Sequence, residues 1–543
     1  MYFWTNYNPE VASTNFANMP KLPFTFASSM TNRLLKVIKK SREQSITLFA
    51  LFACFAFLLF AYLDDPQLEF YDEARRAVSA LELARGDAPS ILTPPYYGEP
   101  DHWGTKPPLL VWSQAIWMKI VGVGELAVRL PSALATLALC FLLTWWGKWD
   151  WGSPLAGALG ALAVLCNWEY MGNHGARTGD FDALLVLFLT AQLIFLFRWV
   201  KTDEIKWLWL AGLAVFLGGM TKGVAGGFLL PGIGLWFLID AAARRKLLHP
   251  GLYGIIGGAI ALVVGYYFLR ETVDPGYLEL VKNNELGGRY NDINESHQGP
   301  FYFYLQTLVA DRAFGYLIPL LLPALAYLLT NKEYRRPAAL LTITATVFLV
   351  IISSAATKLY WYKSPVLPLL GMLIGAGIFH LGQLINSNID GRRGQLLCLG
   401  LFLGVFLAPI TMITYRVTHA RVFQETPARK AGFRAFMRRG DVVKPPYVVL
   451  IDDYHPNARF YVEREKERGR EVSMRRMRRL RPPLVVTEQP ANAEFSPGER
   501  VVVCHTKTWE YMFDQYTMKE EFTDGRCKLL TIRGPRAAPA EDL

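Results

Sequence analysis

The sequence predicts an all-α polytopic membrane protein carrying a small soluble α/β domain at its C-terminal end, and three observations predict it. Of the 543 residues, 52% are hydrophobic and only 19% are charged. A soluble globular chain carries about 25% charged residues, so the deficit points to lipid as the solvent. Ile46–Leu63 reads ITLFALFACFAFLLFAYL without a charge, and about 18 such residues suffice for a helix to cross a hydrocarbon core. Residues 416–543, in contrast, are mixed in charge and contain no membrane-length apolar run.

Taken in order, residues 1–44 form a polar, then basic, cytoplasmic lead. Residues 45–415 form the helical membrane body, interrupted by long polar loops at 64–107 and 270–302. Residues 416–543 form an extracytoplasmic soluble domain. Beyond Ile46–Leu63, apolar cores stand at Leu155–Leu165, Leu184–Phe197, Leu208–Met220, Gly226–Ile239, Leu252–Leu269, Ile318–Leu329, Ala338–Ala355, Leu367–Leu381 and Leu396–Ile413. Short charged or Gly/Pro-containing breaks separate them, and the pattern predicts about eleven spans.

The net charge of +11 could suggest nucleic acid, but its distribution excludes that class. Basic clusters punctuate alternate loops: Arg33 to Arg42, Lys201/Lys206, Arg244/Arg245/Lys246, Lys332/Arg335/Arg336 and Arg392/Arg393. Positive loops are retained in the cytoplasm, which puts the N-terminus inside and the loops near Asp182, Lys222, Arg289 and Lys358 outside. With an odd number of spans the tail is outside as well. Residues 1–32 lack a basic region followed by an apolar stretch, so no cleavable signal is expected and the first apolar run is a full span.

In the tail, Tyr447–Asp452, Leu484–Thr487, Arg500–His505 and Lys528–Arg533 have the β-branched, apolar character of strands. Ala428–Arg438 predicts a short helix with Phe433 and Phe436 on one face. The run Arg464–Arg481 is dense in Arg, Glu and Lys; it reads as a solvated face, or alternatively as a contact for anionic headgroups. Cys504 follows one strand-like run and Cys527 precedes another. An antiparallel pairing would bring them together as a disulfide; the other reading is two buried thiols.

The chemistry-bearing residues gather beside the spans. The first loop contains Phe70-Tyr71-Asp72-Glu73-Ala74-Arg75-Arg76, then a helical pattern that stops at Gly86. Asp72 is thereby placed at a helix N-terminus, where an acidic residue can serve as a cap. The loop ends Thr105-Lys106-Pro107-Pro108, and the double proline holds Lys106 on a stiff backbone at the entry to an apolar segment. Lysine there can snorkel to headgroups or bind an anionic one. Arg177-Thr178-Gly179-Asp180-Phe181-Asp182 precedes another apolar run. Repeated charges at one boundary are costly, which favours a functional site.

These motifs resemble a family. Tyr71–Arg75, Lys106-Pro107-Pro108, Arg177–Leu185, Thr221-Lys222-Gly223 and Lys358–Tyr362 stand in the order found in bacterial aminoarabinose transferases and protein mannosyltransferases, which are GT-C glycosyltransferases using polyprenyl-phosphate sugars. The segment Glu285…Arg289…His297–Tyr304 looks like the family's second external loop. The resemblance covers about residues 60 to 380. It departs at Val224 and Tyr360, where the family usually has proline after Lys-Gly and Lys-Leu.

The resemblance implies transfer of a sugar from a polyprenyl-phosphate donor to a lipid (lipid A-like) or protein acceptor, by inverting displacement, at the outer face of the cytoplasmic (inner) membrane. Membrane lipids are the further partners. Asp72 matches the general base, with Glu73 and Asp182 as the other acidic members of the site. Lys106, Lys222, Arg289 and Lys358 match the cations that neutralise the leaving phosphate. Arg177, His297 and Tyr362 are expected substrate contacts. No cofactor is demanded by the sequence; Asp72, Glu73 and Asp182 could hold a divalent cation, although no dense His/Cys pattern requires one. The alternative is a transporter or flippase of a lipid-linked sugar, which would place its ionisable groups near the bilayer midplane. A polytopic scaffold would leave the one-sided charges unexplained.

Overall fold

The computed structural model describes residues 24–536 apart from Pro66, Phe70, Pro89, His102, Trp103, Asn173, 288–296, Asp390, 420–431, 452–453 and 477–493. Met1–Ala53 form one compact unit and Cys54–Leu543 another. All of the candidate residues lie in the larger unit.

Among the described residues, eight helices are long and apolar enough to cross a membrane: Arg42–Phe60 (the apolar end of α1, Phe24–Phe60), Glu125–Asp150, Asp182–Thr202, Ile205–Gly227, Pro250–Val273, Arg335–Ser354, Tyr360–Asn388 and Gly391–Thr418. Phe303–Ala310 and Phe314–Thr330 qualify only together and bend by 106° at the break between them, as a broken span or a re-entrant loop does. Leu109–Val121, Pro154–Leu165 and Leu230–Ile239 are apolar but shorter. The expected count of about eleven is met only when the short helices are included. Glu125–Asp150 is a span that the apolar-core reading passes over, because Glu125, Arg129 and Pro131 break up its first turns. All three are buried, so their cost is met inside the protein rather than in lipid.

The long loop after α1 is ordered by α2, Asp72–Arg85, which ends at Gly86 in the left-handed region at φ 89°. Ala74, Ala77, Val78 and Leu81 recur at helical spacing and are fully buried. They form one core with Val111 and Met118 of the Leu109–Val121 helix, with Val128, and with Phe460, Tyr461 and Val462 of the tail. The first loop is thus a packed layer between the membrane helices and the soluble domain. A two-stranded hairpin, β1 (Pro95–Tyr96) and β2 (Glu99–Pro100), completes it.

The tail is a five-stranded mixed sheet. β3 (Tyr447–Ile451), β4 (Val472–Arg476), β5 (Arg500–Val503), β6 (Tyr516–Asp524) and β7 (Cys527–Pro535) lie in the order β4-β3-β5-β7-β6. β3 pairs parallel with β4 and β5, while β5–β7 and β7–β6 are antiparallel. Cys504 and Cys527 are joined in a disulfide where β5 meets β7. The expected strand Leu484–Thr487 lies outside the described residues, and the helix near Ala428 is described only as Phe433–Arg438.

The Arg/Glu run corrects one expectation. Its first residues belong to the helix Pro456–Glu467. Within it, Arg464 and Glu465 are buried, not solvated. Arg464 reaches Glu125 at 3.3 Å, and Arg434 also pairs with Glu125. On α2, Glu82 takes Arg459 at 3.1 Å and Arg85 takes Glu463 at 2.8 Å. The Leu68 amide donates to the Tyr461 hydroxyl at 2.8 Å. Charge density along a sequence does not say whether partners wait on another element, and here they do.

Candidate active site

Asp72 and Glu73 are neighbours with opposite environments. Glu73 points inward and is 1% exposed. Its carboxylate accepts from Arg129 Nε at 2.7 Å and Nη2 at 3.0 Å, from the Gly179 amide at 2.8 Å and from the Glu69 amide at 2.7 Å. Burial alone would raise its pKa, but Arg129 and the amides outweigh that and hold it below the ordinary carboxylate range. Arg129 spends its remaining donors on the carbonyls of Leu63 and Gln67. Glu73 therefore ties α2 to the loop before the Asp182–Thr202 helix. Its expected place among the reacting acids is corrected to a structural one, because every oxygen is already committed.

Asp72 faces the other way. It is the first residue of α2, the cap residue is Tyr71, and no side-chain capping bond forms. Its side chain is 51% exposed. Around it stand Arg76, one turn on along α2, and His174 and Asp180 from the facing loop. Arg76 Nη2 lies 3.7 Å from Asp72 Oδ1, and Arg76 Nη1 lies 3.2 Å from Asp180 Oδ1. His174 Nδ1 contacts Asp180 Oδ2 and lies 3.9 Å from Asp72 Oδ2. Two carboxylates and two basic groups close a ring. Arg76 and His174 hold the Asp180 carboxyl far below its usual value against the opposing effect of burial, and Asp180 with Asp72 raises the imidazole pKa despite its burial.

The facing loop is rigid for visible reasons. A Cβ on Gly175 would lie 1.7 Å from the Tyr170 carbonyl oxygen, and one on Gly179 would lie 2.4 Å from Val128. Only glycine allows the chain to press that closely against its neighbours. Gln114 donates to the Gly179 carbonyl at 3.2 Å, and Ser132 to that of Asp180 at 3.0 Å. Arg177, expected to contact substrate, donates instead to the carbonyls of Leu58, Leu59 and Ala61 at 2.7–3.0 Å. It satisfies the C-terminal end of α1, whose carbonyls lack partners within the helix, and this corrects the expected role.

The other candidates converge on this ring in part. Asp182 opens the next span and binds Lys222 Nζ through Oδ1 at 2.5 Å. Lys222 also lies 5.7 Å from the Tyr362 ring. Trp361, beside Tyr362, stacks on His174 at 3.9 Å between centroids. Lys106 and Arg76 both lie over the Phe181 ring, at 5.7 and 4.4 Å. Lys106 reaches Glu285 at 3.3 Å, and the Thr105 hydroxyl donates to the same oxygen at 2.7 Å. Arg270 and Tyr277 pin the Lys106 strap by donating to the carbonyls of Gly104 and Thr105 at 2.8 and 2.7 Å. Lys358 is buried with Nζ on the Ala355 carbonyl at 2.5 Å, and its amide donates to the His297 carbonyl at 3.0 Å. His297 is itself exposed. Arg289 lies outside the described residues.

The expected cation set of Asp72, Glu73 and Asp182 does not assemble, since Glu73 is turned to Arg129 and Asp182 to Lys222. Asp72, His174 and Asp180 do bring three donor atoms within 4.8 Å of one another, with Arg76 beside both carboxylates. The sequence motifs include Arg76, Asp180, Trp361 and Glu285 without giving them a role, and His174 lies outside them. Arg76 was findable, because a residue four on from Asp72 shares its helix face.

Residues 105–267, which hold Lys106, Asp180, Asp182 and Lys222, match the family described as dolichyl-phosphate-mannose-protein mannosyltransferase. An uncharacterised protein of Aquifex aeolicus is 26% identical over 371 residues, 67% of each chain. An undecaprenyl phosphate-alpha-4-amino-4-deoxy-L-arabinose arabinosyl transferase of Aeromonas salmonicida is 26% identical over 372 residues, and the alignment spans 65% of each chain. The crystal structure of ArnT from Cupriavidus metallidurans bound to undecaprenyl phosphate superposes with a TM-score of 0.63 at 16% identity, covering 89% of this chain and 97% of that one.

The chain has the fold of that GT-C enzyme. Its sequence is similar to aminoarabinose transferases and, over residues 105–267, to protein mannosyltransferases, and it is a multi-pass membrane protein with a sheet domain appended.

Proposed function

We propose that this protein is a glycosyltransferase that moves a sugar from a polyprenyl phosphate to an acceptor hydroxyl, on a lipid or a protein, with Asp72 as the general base. One observation carries the reading. Of the three aspartates gathered here, Asp180 and Asp182 are buried and held by Arg76, His174 and Lys222, whereas Asp72 is half exposed and its nearest cations stand back at 3.7 and 3.9 Å. It is the carboxylate that an acceptor can reach.

In the proposed step the acceptor oxygen attacks the anomeric carbon and its proton passes to Asp72. The bond from that carbon to the phosphate oxygen breaks, and polyprenyl phosphate leaves with the electron pair. A single displacement inverts the anomeric centre. The leaving phosphate is a stable anion and needs positive charge rather than a proton donor. Lys106 is the cation best presented for it, on the strap between the ring and Glu285. Lys222, held against Asp182, and Lys358 and Arg289 are further candidates. The donor class is supported by the polyprenyl phosphates named for the relatives.

The ionisable groups stand at helix ends, Asp182 opening one span and Lys222 closing the next. A transporter would be expected to carry them at mid-span. The alternating basic loops support an outer-face site in the cytoplasmic membrane, with the tail on the same side because it packs on α2. The test is Asp72→Asn in membranes of a deletion strain. Product formation, read by mass spectrometry of envelope lipids and glycoproteins, should fall by about 10²–10⁴. Wild-type product levels would refute the assignment.

A further inference from the structure

His174 is the one aromatic base beside Asp72 among the described residues, and the assigned chemistry does not use it. Three features show that its place is built. Its backbone sits at φ 55°, in the left-handed region that residues with a side chain seldom enter. Such strain persists where surrounding structure holds it, and it clusters at working sites. The ring is clamped against Trp361, with centroids 3.9 Å apart and planes 27° apart. That clamp aims Nδ1 at the two carboxylates, in contact with Asp180 and 3.9 Å from Asp72.

The pairing within the ring is regular. Each aspartate gives Oδ1 to Arg76 and Oδ2 to His174. At Asp180 both contacts are close, so that carboxylate is a fixed post. At Asp72 both are long, so its oxygens are oriented without being consumed by hydrogen bonds. An incoming hydroxyl can then take up the remaining valence of an oxygen whose direction is already set.

We propose that His174 is a positioning residue for Asp72: braced by Trp361 and Asp180, its Nδ1 and the Arg76 guanidinium hold the Asp72 carboxylate in the attitude needed to receive the acceptor's proton. This inference rests on Asp72 being the base. It assigns no proton transfer to the imidazole itself; the role is geometric, and it needs a nitrogen at the Nδ1 position rather than a ring as such.

That distinction sets the test. His174→Phe keeps an aromatic ring for Trp361 and removes the nitrogen; His174→Asn offers an amide nitrogen near the Nδ1 position without the ring. Full-length variants are compared for product formed in deletion-strain membranes, and after purification for affinity towards undecaprenyl phosphate. Phe should lower product by about 10–100-fold, the scale on which a misplaced reacting group slows a reaction, with affinity changed less than about twofold. Asn should recover most of the loss. Wild-type product with His174→Phe would overturn the inference, as would an Asn variant no better than Phe. Loss of wild-type turnover on chelation, restored by a divalent cation, would make the three-residue group a metal site and would also overturn it. Asp72→Asn separates the two levels. An active Asp72→Asn protein refutes the base itself, whereas an inactive one beside a fully active His174→Phe protein refutes only the positioning role.

Discussion

Behind α2, Glu73 meets Arg129 with contacts of 2.7–3.0 Å, and each remaining valence goes to backbone. In front of α2, Asp72 meets Arg76 and His174 at 3.7 and 3.9 Å with half its surface open. The same helix, one residue apart, carries a saturated ion pair and an unsaturated one. Burying charge is tolerated only when each group is fully partnered, and breaking such a pair is expensive. A group that must exchange partners during a reaction cannot be saturated beforehand. The difference in saturation separates the residue that holds the fold from the residue offered to substrate.

The comparison can be broken from either side. The largest stability effect expected is at Glu73. Glu73→Gln leaves Arg129 buried without its counter-charge and should cost about 3–5 kcal/mol. It should show as a marked fall in thermal midpoint of the purified protein; an unchanged midpoint would mean the pair is not structural. The pH dependence has a definite sign. Because the folded pKa of Glu73 is depressed, its stabilisation is complete above the ordinary carboxylate range and is lost as pH falls through the lower folded value.

Next in size is the tail's disulfide. Cys504 and Cys527 are 23 residues apart, and closing a loop of that order contributes roughly 3 kcal/mol in the chain-entropy model. Paired serine substitutions should destabilise the sheet to proteolysis while α2 stays protected. Non-reducing peptide mapping that returned two freely alkylated cysteines would remove the premise.

Lys106→Ala tests the donor side. Loss of a charge-assisted contact is worth about 1.5–3 kcal/mol, so undecaprenyl phosphate affinity should drop roughly 10–100-fold, and Lys106→Arg should keep part of it. Equal affinity in the alanine variant would leave Lys106 a snorkelling residue. Smallest is Arg85→Ala on the tail-facing end of α2, whose partners include the partly exposed Glu467. Pairs of that kind contribute about 0–1 kcal/mol. A larger loss in a melting experiment would mean the tail docks through its rim charges rather than through the core of Ala77, Leu81, Phe460 and Tyr461.

What was legible in the sequence followed from local pattern. Apolar runs gave most of the spans, Gly86 gave the end of α2, and β-branched runs gave three of the tail's strands. Asp72 and Asp182 open helices, Lys222 closes one, and Lys106 lies three residues before another. What was not legible depends on which element faces which. Asp72 and Glu73 are equivalent as letters, and only helix rotation against Arg129 distinguishes them. Arg177 looks like a binding residue until the end of α1 is seen to need its donors. His174 carries no motif signal, since its role requires Trp361, 187 residues further on, to brace it. β6 escaped because its alternation is diluted by Lys519, Glu520 and Glu521 on an exposed edge.

The central claim is that the chemistry belongs to Asp72 and the architecture to Glu73. The most direct measurement compares Asp72→Asn and Glu73→Gln, purified in parallel, for thermal midpoint and for product formed in deletion-strain membranes. Asp72→Asn should keep the wild-type midpoint and lose about 10²–10⁴ of the product rate, while Glu73→Gln loses its midpoint first. A stable, inactive Glu73→Gln protein beside an active Asp72→Asn protein would contradict the account.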